Sequence, residues 1–247
     1  MWFTHGRSLP KPAFETAPPA TAGPTIRSVT RFPATVGKQV VFGAACWTLS
    51  VAFFVSQPIV QAATTRPYSI SGNLISDLGI TACGPFSNGA YHVDVCSPLH
   101  SVMNGTFVAV GLLQAVGAIA TLRAWPMPRA APGLILLVLA GAALAIAGLA
   151  PENVNLSLHT TAAGFGIDFL NAAVIVLGVA LLGPAPVLGV ITLLVGIFGV
   201  VGTIIFRASL AGIPIGTAER LAVYPSVAMV VVLGVYLLSM GRRPQRT

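Results

Sequence analysis

Asp77, His100 and His159 are the groups in this chain best suited to acid–base chemistry. A carboxylate and two imidazoles can relay protons to a bound substrate, or hold a metal if they converge. Four further residues stand close to Asp77 and His100 along the chain or share their surroundings: Asn73, Ser76, Asn104 and Glu219. Arg220 adds a planar cation suited to gripping a phosphate. Together they make a candidate ligand site, with Asp77, His100 and His159 as candidate catalytic groups. Ser76 as a nucleophile lacks the glycine pattern of an elbow around it. No complete catalytic motif appears, so the sequence leaves open whether the protein is an enzyme and leaves any cofactor unknown.

A second set of polar residues falls inside long apolar runs. His100, Asn104 and Gln114 lie within about 80° of one another on a helix, and so do Ser157, Thr161, Asp168 and Asn171. Two polar stripes predict a polar seam inside a bundle, because lipid would not tolerate them. His159 points roughly opposite to Asp168 on that second helix. Asp168 lies nine residues beyond His159, about 13 Å deeper, which places an acid near the bilayer midplane. It serves either proton transfer or a tie between helices through Asn171 or Gln114, and no basic residue stands out as deep enough to neutralise it.

The elements that must position these groups are set by composition. The chain has 247 residues, 55% hydrophobic and 8% charged, where a soluble domain carries about 25% charged residues. Six runs, 40–60, 100–122, 132–150, 156–182, 186–206 and 221–240, approach the roughly 20 apolar residues needed to cross a bilayer. The fold class is therefore all-α: a polytopic membrane bundle of six transmembrane helices with a long external loop after the first. Residues 1–38 carry six prolines and five basic residues and read as a disordered basic cytoplasmic arm. Residues 39–241 form the transmembrane domain, and 242–247 a basic cytoplasmic tail.

The formal charge of +7 is an orientation signal rather than a nucleic-acid footprint. Arg7, Lys11, Arg27, Arg31, Lys38, Arg123, Arg129, Arg242, Arg243 and Arg246 fall on the side of the termini, and only Arg66, Arg207 and Arg220 on the other. Both termini are expected in the cytoplasm of a cell whose plasma membrane holds the protein, with the polar site facing out. Asp77, Asp94, Glu152, Glu219, His92, His100 and His159 all gather toward that outer face.

The first outer loop, about 61–99, is the longest connection. Ile70, Leu74 and Leu78 recur every four residues with Asn73 and Asp77 beside them, predicting a short amphipathic helix capped by Ser71 and Gly79, lying on the bundle mouth with Asn73, Ser76 and Asp77 on its polar edge. Ser76 and Asp77 then either solvate that helix or serve the site. Cys83 and Cys96 flank a turn containing Pro85, Asn88 and Gly89. In an oxidising compartment they predict a disulfide. A zinc site drawing in His92 and His100 fits no usual spacing, so no metal site is predicted. Cys46 reads as a small apolar residue.

The series Asn73, Ser76, Asp77, Leu78, Gly79, then His100 and Asn104, then Pro151 with His159, and finally Gly216, Glu219 and Arg220 resembles the six-span membrane-protein family catalogued as domain of unknown function nine-nine-eight. The resemblance covers about residues 40–240. It implies a fold and an outer polar face, and no reaction. The residues support binding of a lipid or lipid-linked molecule in an outward-facing pocket, with hydrolysis as one outcome. The alternatives are a small proton-coupled transporter using Asp168, or an accessory subunit of an envelope complex with a membrane-protein partner or a second copy of itself.

Overall fold

The computed structural model describes residues 37–209 and 212–241. The arm expected over 1–38, apart from its last two residues, and the tail expected over 242–247 lie outside the described residues. Among the described residues, seven α-helices make six spans. Helices α1 (Lys38–Leu49) and α2 (Ala52–Ala62) form the first, broken at Ser50 and Val51; α3 (His100–Thr121), α4 (Ala131–Leu149), α5 (Leu156–Leu181), α6 (Pro186–Ala208) and α7 (Ile215–Gly241) are the others. With no water to satisfy backbone groups in lipid, a helix is the conformation a continuous apolar run can adopt there.

Consecutive spans pack antiparallel and the last returns to the first, so the chain closes a ring in the order α1, α3, α4, α5, α6, α7. The close approaches are made through small residues. A Cβ on either Gly111 or Gly141 would overlap the carbonyl oxygen of the other, which is what lets α3 and α4 touch through their backbones. Trp47 fills the junction of α1 and α3, donating its indole N–H to Gln114 O at 3.1 Å.

The outer loop departs from the expected amphipathic helix. The backbone turns at residues 70–72 and then makes only one 3-10 turn, Ser76–Gly79. The edge expected to be solvated faces inward: Asn73, Ser76 and Asp77 are buried. The reason is tertiary. The segment lies on the first turns of α7 and on the α4–α5 connection, whose polar groups replace water as partners. Beyond it, strands β1 (Gly84–Asn88) and β2 (Tyr91–Val95) form an antiparallel hairpin. The predicted disulfide, Cys83 to Cys96, staples its base, and Arg66 pairs with Asp94 beside it at 3.4 Å.

Two expectations about the spans are corrected. Helix α7 begins at Ile215 rather than near 221, so Glu219 and Arg220 sit within its first two turns. The second polar stripe does not enter the bundle as a seam. Ser157 and Thr161 are exposed, and only Asn171 is inside, where Nδ2 donates to Thr203 Oγ1 at 3.0 Å and Ala222 O at 3.1 Å.

Candidate functional site

The loop from Tyr68 to Leu78 forms a cap whose polar groups are joined to the helices under it. Asp77 is its centre. One carboxylate oxygen, Oδ2, accepts from Leu74 N at 2.9 Å, Asn73 Nδ2 at 3.0 Å and Tyr91 OH at 2.5 Å. Burial and the neighbouring Asp77 charge push the Tyr91 phenol above its usual range, so it remains the donor. The i, i+4 spacing of Asn73 and Asp77 thus brings them into contact without a helix between them.

Glu219 Oε2 accepts from Ile75 N at 2.5 Å. Arg220 holds the other side of the cap, donating from Nη1 to Asn73 O at 2.8 Å and to Gly216 O at 2.9 Å, and from Nη2 to Tyr68 OH at 2.7 Å. Gly216 makes this possible, because a Cβ there would overlap Asn73 O. Asn104, from the first turns of α3, donates to Gly79 O at 2.8 Å, and Ser97 Oγ to Leu78 O at 2.7 Å. These contacts hold the loop in one position over the bundle.

Glu152, in the α4–α5 connection, completes the cap. Ser76 Oγ donates to its Oε2 at 3.1 Å. Its other oxygen and Asp77 Oδ1 are both buried with no hydrogen-bond partner, and the two carboxyls are close enough to shift one another's titration. A single proton between them satisfies both. Burial raises both groups, and with the Asp77 charge alongside, Glu152 is pushed up to about 9. At neutral pH Glu152 holds the proton and Asp77 accepts it.

This arrangement has a pH signature. An unfolded Glu titrates near 4.5 and the native one near 9, so across that window the native state binds the extra proton. Stability must then fall as pH rises through that window. Glu152→Gln keeps a donor for Asp77 and an acceptor for Ser76 but cannot ionise. Melting in detergent between pH 5.5 and 8.5 should show a declining temperature in the wild type and a flatter profile in the variant. Parallel profiles would refute the shared proton.

Beneath the cap the ring holds a cavity of about 70 Å³, well below the ~300–1,000 Å³ of sites that bury a whole drug-sized ligand. Its walls are apolar, including Phe53, Phe107, Leu144, Ile167 and Val223. Polar groups sit at two levels. Ser76, His159 and Glu219 meet it at the capped end, and Gln114 reaches it from farther down α3, about 21 Å along that helix from His100. His159 Nδ1 lies 3.0 Å from Ala147 O and 2.9 Å from Ala150 O. Carbonyls only accept, so Nδ1 carries the proton and Nε2 is left as an acceptor. Gln114 Nε2 is buried with no partner.

The candidates from the sequence therefore separate into three places. Ser76, His159, Glu219 and Gln114 line the cavity; Asn73, Asp77, Asn104 and Arg220 build the cap over it. His100 lines neither, its Nδ1 lying 2.9 Å from Ser97 O at the start of α3. Among the described residues, no group of three or more His, Cys, Asp or Glu side chains is placed to hold a metal. Asp168 and Asn171 border a groove between α5 and α6. There Asp168 does have a neutralising base: Arg207 Nη2 meets Oδ2 at 2.7 Å and also donates to Gly164 O at 3.3 Å. Sequence reasoning set Glu152 at the outer face without giving it a place in the site, and passed over Tyr68, Tyr91, Gln57 and Tyr224, the last two being hydrogen-bonded to each other. The available signal for Glu152 was a lone acid in a six-residue connection between two apolar helices.

The fold and this site define a polytopic membrane helix bundle with a core cavity under a disulfide-stapled cap. The chain belongs to the family described as Protein of unknown function (DUF998), which it matches over residues 48–236. No curated protein and no solved structure gives a significant match.

Proposed function

We propose that the protein binds a membrane lipid or lipid-linked molecule at the outward-facing cavity beneath the cap. The observation that carries this reading is the cavity itself, apolar along its length and polar only at the capped end and at Gln114. That division matches an amphiphile. The capped end faces away from the cytoplasm of the plasma membrane, a reading supported by the excess of Lys and Arg on the side of the termini and by the disulfide in the cap.

The test is chemical. Protein purified in a mild detergent should carry a bound lipid that survives washing and can be extracted and weighed. Ala163→Phe places a ring in the cavity from its α5 wall and should remove that lipid while leaving the melting temperature within a few degrees of wild type. An equal load in both proteins, or none in either, would refute the reading.

Hydrolysis of the bound molecule is the second reading. It is favoured by Glu219, whose carboxyl reaches the cavity beside Ser76 and His159 with one oxygen engaged by Ile75 N. A carboxylate there can take a proton from an attacking water.

A further inference from the structure

The ion pair of Arg207 and Asp168 stands on the flank of the spans rather than inside the ring. Its side chains meet at 2.7 Å and are 54% and 37% exposed, in a groove of about 310 Å³ between α5 and α6. That is room for a head group, at the lower edge of the ~300–1,000 Å³ of small-molecule sites. Charged groups within a span are ordinarily turned to the bundle interior, because hydrocarbon does not solvate them. Here the interior is closed to the pair: Asn171 and Thr203, behind it, are bonded to each other and to Ala222 O and Gly199 O.

The depth of the pair suits a lipid head. Arg207 is the last residue but one of α6, on the capped side of the bundle. Asp168 comes one turn before Asn171, which lies against Gly199 and Thr203, so Asp168 stands beside the last turn of α6. Toward the bilayer centre, Ile204, Val201, Ile197 and Leu194 are all exposed and make one apolar stripe down α6. A lipid held by its head at the pair would lay its chains along that stripe, within the bilayer itself.

Both charges keep capacity for a ligand. Arg207 makes its two contacts from Nη2, so Nε and Nη1 have protons to give to a phosphate, which the guanidinium plane suits. Asp168 receives Arg207 on Oδ2, and Oδ1 has no partner among the described residues. An anionic head group would meet that carboxylate as a like charge. A head group with a cation a few atoms from its phosphate meets each charge as an opposite. An ammonium with N–H bonds can also donate to Oδ1, whereas a trimethylammonium cannot.

We infer that the groove between α5 and α6 seats the head group of a zwitterionic phospholipid bearing a primary ammonium, of the phosphatidylethanolamine class, with its phosphate on Arg207 and its ammonium on Asp168. This site is separate from the cavity under the cap and does not depend on it.

The experiment compares three phospholipids with the same chains. The full chain in mild detergent is titrated in turn with palmitoyl-oleoyl phosphatidylethanolamine, phosphatidylcholine and phosphatidylglycerol, and retained lipid is counted by native mass spectrometry. The ethanolamine lipid should be held about fivefold or more tightly than either of the others. Asp168→Asn alone should bring the glycerol lipid up toward it. Asp168→Asn with Arg207→Gln removes both charges, keeps side chains that can bond to each other, and should bring all three lipids level. Ala163→Phe alters the cavity and not the groove, and should leave the preference unchanged. Level binding in the wild type, tighter binding of the glycerol lipid, or a preference that survives in the double variant overturns the inference. A preference lost in Ala163→Phe also overturns it and assigns the lipid to the cavity instead.

Discussion

Replacing Asp77 by alanine is expected to release the cap and to cost the protein most of its margin of stability. The side chain is fully buried, and its loss leaves Leu74 N–H, the Asn73 amide and the Tyr91 hydroxyl without their common acceptor. Each buried group left unpaired costs about 1–3 kcal/mol, against a total of about 5–15 kcal/mol for a typical fold. Glu152 loses its carboxyl partner as well. Asp77→Asn keeps one acceptor oxygen and can donate to Glu152, so its penalty should be less than half as large. Melting in detergent and protease cleavage within 68–78 report the two effects separately. An alanine variant that melts with the wild type would remove Asp77 from the centre of the cap.

Gly216→Val should approach the same outcome from the other side of the contact. The first turn of α7 meets the cap backbone to backbone, with Thr217 N donating to Ser71 O at 3.0 Å. A side chain at 216 overlaps Asn73 O, and neither backbone can yield without breaking the Arg220 and Glu219 bonds to the cap. The loss should be several kcal/mol, as for other overpacked buried sites. Gly105→Ala is the control, since a Cβ there meets nothing within 4 Å. Because Asp77 and Gly216 secure one unit, the double variant Asp77→Ala, Gly216→Val should be far less than additive. Full additivity would mean that the loop and α7 are not coupled.

The spans were legible because hydropathy over some twenty residues is a bulk property. The cap was not, because its conformation is decided by partners far away in the chain. Asn73 and Asp77 do touch, as their spacing suggests, but the inference from spacing to helix to solvated edge failed at its second step. Four-residue recurrence also arises in a turn followed by one 3-10 turn, and burial of Asp77 depends on Glu152 and on α7. The ion pair at Asp168 shows a different limit. Asn171 meets Gly199 and Thr203 across the antiparallel contact, so a base sought at the level of Asp168 would be sought within a turn of them. Arg207 lies farther along and covers the difference with the length of its side chain. His159 was placed correctly opposite Asp168: its ring faces the cavity while Asp168 faces the groove between α5 and α6.

The joining of the first loop to the last helix also sets an order of assembly. Ile75 and Glu219, which bond to one another, are 144 residues apart. At ribosomal rates of about 5–20 residues per second, the loop is synthesised on the order of ten seconds before the residue that completes its carboxyl cluster. During that interval the disulfide and the hairpin can form from local sequence alone, while Asp77 and Arg220 cannot yet share a structure. A nascent chain halted after α6 would therefore present an unseated loop, and the last helix is the step that seats it.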